Sequence, residues 1–149
     1  MKLKLLALLF LSFIHSHHLM AKEVHLLGVG DILIHQPLRN QAIAQKNGLG
    51  FQSLWQEVIP YIKKADLAYG NIEGPMADNL APQEKQFSFN FPSFLAGDLK
   101  DSGFDIVSTS NNHSLDRAVE GVFETIDVLD DYRLPFVGTR KDQDSWEGF

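Results

Sequence analysis

Three short stretches of this 149-residue chain carry side chains that bind cations or move protons: Asp31 with His35, Asn71 with Glu73, and Asn112-His113 with Asp116. Each follows an apolar run that reads as a β-strand. A carboxylate supplies charge to a divalent cation, an imidazole gives a softer ligand, and an amide carbonyl completes an oxygen-rich shell. Histidine and a neighbouring acid also serve proton transfer. The chemistry these residue types suggest is metal-assisted work on an anionic group.

Taken singly, each stretch also reads as turn chemistry. Asparagine tolerates left-handed backbone and bonds locally, Asp116 suits a helix N-cap, and His35 suits a surface. What favours a site is that all three stretches stand at strand ends. An open α/β sheet of parallel strands gathers those ends on one edge. Asn71 and Glu73, two positions apart, face the same side of extended backbone. His25 lies early in its strand and reads as structural. The chain has no cysteine, which excludes disulfides, zinc-thiolate sites and a cysteine nucleophile. A net charge of −6 argues against a nucleic-acid partner, since phosphate binding needs a basic face.

The elements that position these residues follow from periodicity. Residues 22–30 read as the first core strand, closed by glycines that let Asp31 sit just beyond its end. Residues 36–50 read as a polar loop with a helical turn. Phe51, Leu54, Trp55, Val58, Ile59 and Ile62 are spaced for a helix with one buried face, kinked or broken at Pro60. Residues 66–70 read as the second strand. Residues 87–91 (FSFNF) alternate like a half-buried strand that stops at Pro92. Residues 94–103 read as a short helix ended by Gly103, and residues 106–109 as the third strand. Val119, Val122, Phe123, Ile126 and Leu129 then form a stripe along a helix over 116–132, expected to pack in the core. Residues 134–138 read as the last strand. Alternation of strand and helix predicts an α/β fold with mainly parallel pairing.

Residues 1–21 read as a secretory signal, with Lys2 and Lys4 before the apolar run 5–14 and cleavage expected after Ala21. Export to the periplasm or cell envelope follows as an expectation, and His15, His17 and His18 would leave with the leader. Loss of Lys2 and Lys4 takes the formal charge from −6 to −8. A domain is expected over 22–138 and a frayed tail over 139–149.

GVGDILIH (28–35), ADLAYGNIEGP (65–75) and GFDIVSTSNNHSLD (103–116), followed by GVFETIDVL, resemble the CapA family of poly-γ-glutamate capsule-synthesis proteins. That family shares the calcineurin-like metallophosphoesterase fold, so the resemblance implies the amino-terminal half of a β-sandwich flanked by helices. It covers residues 24–138. By the resemblance, Asp31 matches the first metal-binding aspartate, and Asn71 with Glu73 matches the family's Asn-x-Glu. Asn112 matches the asparagine of a second metal, His113 the histidine that contacts phosphate, and Asp116 the acid that orients it. His35 departs from the superfamily's Asp-x-His by lying four residues beyond Asp31. No histidine follows His113, whereas later histidines complete the superfamily's metal shells. The expectation is therefore an amino-terminal part of a CapA-like domain, from a truncated or split gene.

Three functions are open at this point. One is an exported, metal-dependent phosphoesterase-like protein of capsule or poly-γ-glutamate synthesis. It would use one or two divalent ions (manganese, iron, zinc or magnesium), and two-metal chemistry needs them about 4 Å apart. Its substrate would be a phosphoester or an anionic polymer, and its partners a membrane-associated capsule machinery. The second is a non-catalytic envelope component that holds the polymer or a membrane partner. The third is an inactive fragment.

Overall fold

Burial alternates along the strands of the computed structural model, which describes residues 23–82 and 87–142. The leader expected over 1–21 lies outside the described residues. Strand β1 is Leu26–Ile32. It therefore runs through Asp31, which the sequence pattern had placed just past the strand. Helix α1, Gln36–Ala44, follows at once and buries Ala42. Only a helical turn was expected there. Pro37 pre-sets the first turn, and the Ala-Ile-Ala run extends it.

The expected helical face over 51–65 is divided. A 3-10 helix spans Gly50–Leu54, and helix α2 is the short Ile59–Ile62. Pro60 sits in the first turn of α2, where its missing amide hydrogen costs nothing and its ring meets no earlier turn. The break thus falls before Pro60. Gly50 holds φ +52°, and a Cβ there would lie 2.5 Å from Asp98. The turn brings the Phe51 amide onto the Asp98 carboxylate at 2.6 Å.

Strand β2, Leu67–Ile72, includes Asn71. Residues 87–91 are not a strand, contrary to their alternation. Phe89, Asn90 and Phe91 are buried in succession, which no pleated strand on one core face allows. Their polar groups bond singly instead: Phe91 donates to the Pro75 carbonyl, and Asn90 bridges the Ala77 amide and carbonyl. Helix α3, Phe94–Ser102, stops at left-handed Gly103. The Gly103 and Phe104 amides bond back to Lys100 and Leu99, satisfying the last carbonyls.

Strand β3 is Ile106–Ser108, helix α4 is Ala118–Asp131, and strand β4 is Phe136–Val137. The α4 stripe is core only in part. Val122, Ile126 and Leu129 are buried, while Val119 and Phe123 face solvent at 51% and 37% exposure. Thr139, in the expected tail, is tied to Thr109 by two hydrogen bonds.

The four strands form one all-parallel sheet in the order β1-β2-β3-β4. Ala42 of α1, Ile62 of α2, Leu95 and Leu99 of α3, and Leu129 of α4 pack in a single core with Ala68, Ile72 and Val107. Every helix thus covers the same face. Between Gly28 and Asp31 the β1–β2 register shifts by one residue: Gly28 pairs with Tyr69, but Asp31 pairs with Asn71.

Candidate metal centre

That shift decides where the first acid points. Leu27 and Ala68 are paired on the helix-covered face, as are Ile32 and Ile72. Asp31 is paired with Asn71 and shares its opposite face. Asn71 in turn pairs with Ser108 of β3. Three neighbouring strands therefore present Asp31, Asn71 and Ser108 side by side near their carboxyl ends.

The side chains form one hydrogen-bonded rim. Asn71 Nδ2 donates to Asp31 Oδ1 at 2.7 Å. Asn71 Oδ1 accepts from Ser108 Oγ at 2.8 Å and from Asn111 Nδ2 at 3.2 Å. The Tyr69 hydroxyl lies 2.8 Å from Ser108 Oγ. Asn111 also donates to the Ile72 carbonyl at 2.8 Å, and its own Oδ1 accepts from the His113 amide at 3.0 Å. Asn111 thus staples the loop after β3 to the end of β2. Ser114 closes that loop by bonding the Thr109 and Asn111 carbonyls.

Glu73 sits beside Asp31, close enough for the two carboxyl groups to act on one another. Partial burial pushes the Glu73 carboxyl above its usual range, and the neighbouring Asp31 charge adds to the rise, while His113 opposes it. Two carboxylates this close repel each other when both are charged, and a positive charge between them would relieve that repulsion. Their oxygens suit a hard divalent ion.

His113 Nδ1 lies 2.9 Å from Asp116 Oδ2, and the same oxygen accepts the Phe89 amide at 2.6 Å. Asp116 therefore holds a ring and a loop, not the helix start. Phe89 stands between the two imidazoles, edge-on to His35 at 5.4 Å and to His113 at 4.7 Å between centroids. Arg117 anchors the loop behind Phe89 through the Ala81 and Pro82 carbonyls and Ser88.

The structure brings Asp31, Asn71, Glu73, His113 and Asp116 to one rim. His35 joins them through Phe89, at the start of α1. Asn112 is placed apart: it is exposed and lines a cleft with Leu115, Val119 and Phe123, while Asn111 takes the inner position. Asn111, Ser108, Tyr69 and Phe89 are the rim residues that spacing alone did not single out. Tyr69 alternates with Asn71, and that period was the available signal. Among the described residues, no three His, Asp or Glu side chains gather as a complete metal-holding group. Asp31 and Glu73 are the pair that fits one side of an ion.

One parallel sheet, helices on one face and an acid–amide rim at the strand ends make an α/β arrangement consistent with part of a metallophosphoesterase-like domain. The family model described as Bacterial capsule synthesis protein PGA_cap matches residues 25–148, and the chain belongs to that family. An uncharacterized protein y4sH of Sinorhizobium fredii is 32% identical over 120 residues, covering 76% of this chain and 24% of its own length. The capsule biosynthesis protein CapA of Bacillus anthracis is 26% identical over 114 residues (74% of this chain, 27% of the relative). The PGA biosynthesis protein CapA of Bacillus subtilis is 29% identical over 112 residues (74% and 28%). The chain thus spans about a quarter of the length of the curated relatives it matches.

Proposed function

We propose that this chain supplies one wall of a divalent-metal site that acts on a phosphoester or anionic polymer in capsule biosynthesis at the cell envelope. The observation that carries the reading is the adjacent Asp31–Glu73 pair on a rim shared with His113. Its relatives' names, capsule and PGA biosynthesis proteins, indicate the setting.

Asp31 and Glu73 would hold the ion, and Asn71 fixes the Asp31 carboxylate. A bound divalent ion supplies charge to a phosphate oxygen and lowers the pKa of water. His113 is oriented through Nδ1 by Asp116, so proton exchange with a substrate oxygen falls to Nε2. Phe89 and Arg117 keep that ring in place. Histidine ligands beyond those of this chain would complete the shell.

A second reading is a non-catalytic component that holds an anionic polymer through the same ion. The incomplete ligand group among the described residues favours it for the isolated chain. Calorimetric titration of Mn²⁺ into the mature protein tests both. Asp31→Ala and Glu73→Gln should each weaken binding at least tenfold, and equal binding by wild type and both variants removes the metal site. Hydrolysis of a chromogenic phosphodiester should stay near background. Brisk turnover lost in His113→Ala would decide for the catalytic reading.

A further inference from the structure

The hydrogen bonds of the rim run one way, and two backbone groups set the direction. Asn111 donates through Nδ2 to the Ile72 carbonyl at 2.8 Å and accepts at Oδ1 from the His113 amide at 3.0 Å. A carbonyl can only accept and a peptide N–H can only donate, so the Asn111 carboxamide has one orientation. Its Nδ2 lies 3.2 Å from the Asn71 carboxamide, and the atom that meets it must be the oxygen. The Asn71 Nδ2 is then turned to Asp31 Oδ1, at 2.7 Å. A flipped Asn71 would set oxygen against oxygen at Asp31 and nitrogen against nitrogen at Asn111.

Ser108 follows the same direction. Its Oγ lies 2.8 Å from Asn71 Oδ1 and donates its single hydrogen there. It must therefore accept from the Tyr69 hydroxyl, also at 2.8 Å. The register explains the reach. Asn71 pairs with Ser108 and Tyr69 with Ile106, so Ser108 is the diagonal neighbour of Tyr69, a span that an aromatic side chain bridges. Tyr69, Asn71 and Ser108 are half-buried, where water competes for each partner and a hydrogen bond adds little net stability. What the chain of bonds fixes is orientation. Asn71 cannot turn without breaking its bonds to Asp31, Ser108 and Asn111 together.

We propose that Tyr69, Ser108 and Asn111 are positioning residues for Asp31: they lock the Asn71 carboxamide so that its NH2 group holds the carboxylate in one place. The consequence for cation affinity rests on the metal reading above, whereas the chain itself stands on hydrogen-bond geometry. Without Ser108, Asn71 Oδ1 keeps only the longer contact to Asn111, and Asp31 has to be ordered at the moment an ion binds. That ordering lowers affinity, as loss of an outer partner does at metal sites generally.

Two measurements test it. In calorimetric titration of Mn²⁺, Ser108→Ala should weaken binding roughly tenfold. Tyr69→Phe, which keeps the ring and removes one hydrogen bond, should weaken it about threefold, and Ser108→Thr should restore wild-type affinity. In an Asn71→Ala background, Ser108→Ala should add less than about twofold, because Ser108 acts through Asn71. Fully additive losses overturn the proposal, since a merely structural role would produce them. The second measurement is NMR of the metal-free protein. The Asn71 side-chain amide proton held by Asp31 should move upfield, toward the position of a free amide, in both Ser108→Ala and Tyr69→Phe. An unmoved resonance in a variant that melts with wild type overturns the proposal. Should Ser108→Ala fail to fold, Tyr69→Phe carries both measurements. Wild-type protein that binds no Mn²⁺ while the resonance moves as expected would remove the metal reading and uphold the positioning of Asp31, so the two failures are distinct.

Discussion

On the helix-covered face, Ala68, Ile72 and Val107 are at most 1% exposed, whereas across the same strands Leu26 and Leu67 keep 73% and 41%. The two faces share a backbone and differ in what the neighbouring chain does. Each connection from strand to strand returns over one side, so apolar burial accumulates there. The other side keeps its side chains available, and the polar rim is built on it. Apolar packing and the polar rim are thus divided between the faces of one sheet.

The largest expected effect lies on the covered face. Leu99→Ala, at a fully packed position of α3, should lower unfolding free energy by about 2–5 kcal/mol. Leu67→Thr on the open face should stay within about 0.5 kcal/mol. Urea denaturation measures both, and equal costs would erase the contrast.

At the junction of the two regions, Asp116→Ala should cost about 1–3 kcal/mol. It removes the acceptor of both His113 Nδ1 and the Phe89 amide. The same titration reports it, and a loss below that range would mean that Arg117 alone holds the loop.

The smallest effect is a slope. Burial and the Asp31 charge raise the Glu73 carboxyl above its ordinary value of 4.5, so the folded protein holds a proton that the unfolded chain has released. Stability should therefore fall as pH rises from that ordinary value through the folded one. In metal-free protein, Glu73→Gln should flatten this decline and melt higher than wild type at neutral pH. A wild-type melting temperature that rises over the same window would contradict the acid pair.

All four strands and the long helix were legible in the sequence because β-branched runs, glycine stops and a helical stripe coincide with their packing. What escaped were segments whose partners are distant. Phe87–Phe91 alternates like a strand, but Asp116, Pro75 and Ala77 take its polar groups one by one. Gln36–Ala44 lacks a broad apolar stripe, so its helix is visible mainly through Pro37. Within the rim, the types and spacing of Asp31, Asn71, Glu73 and His113 were readable. Which of two adjacent asparagines turns inward was not, because that depends on the Ile72 carbonyl waiting at the end of β2.

The one-residue offset between Gly28 and Asp31 reaches further than its size. Were the strands aligned without it, Gly30 would stand opposite Asn71, and Asp31 would fall opposite Ile72, aimed into hydrocarbon. With the chain unchanged in length, that alignment would take the first carboxylate off the rim and seat it among Val29, Ile32 and Phe104, whereas deleting Gly30 would keep Asp31 opposite Asn71. One spare residue in β1 thus decides whether the Asp31 carboxylate meets solvent or the packed interior.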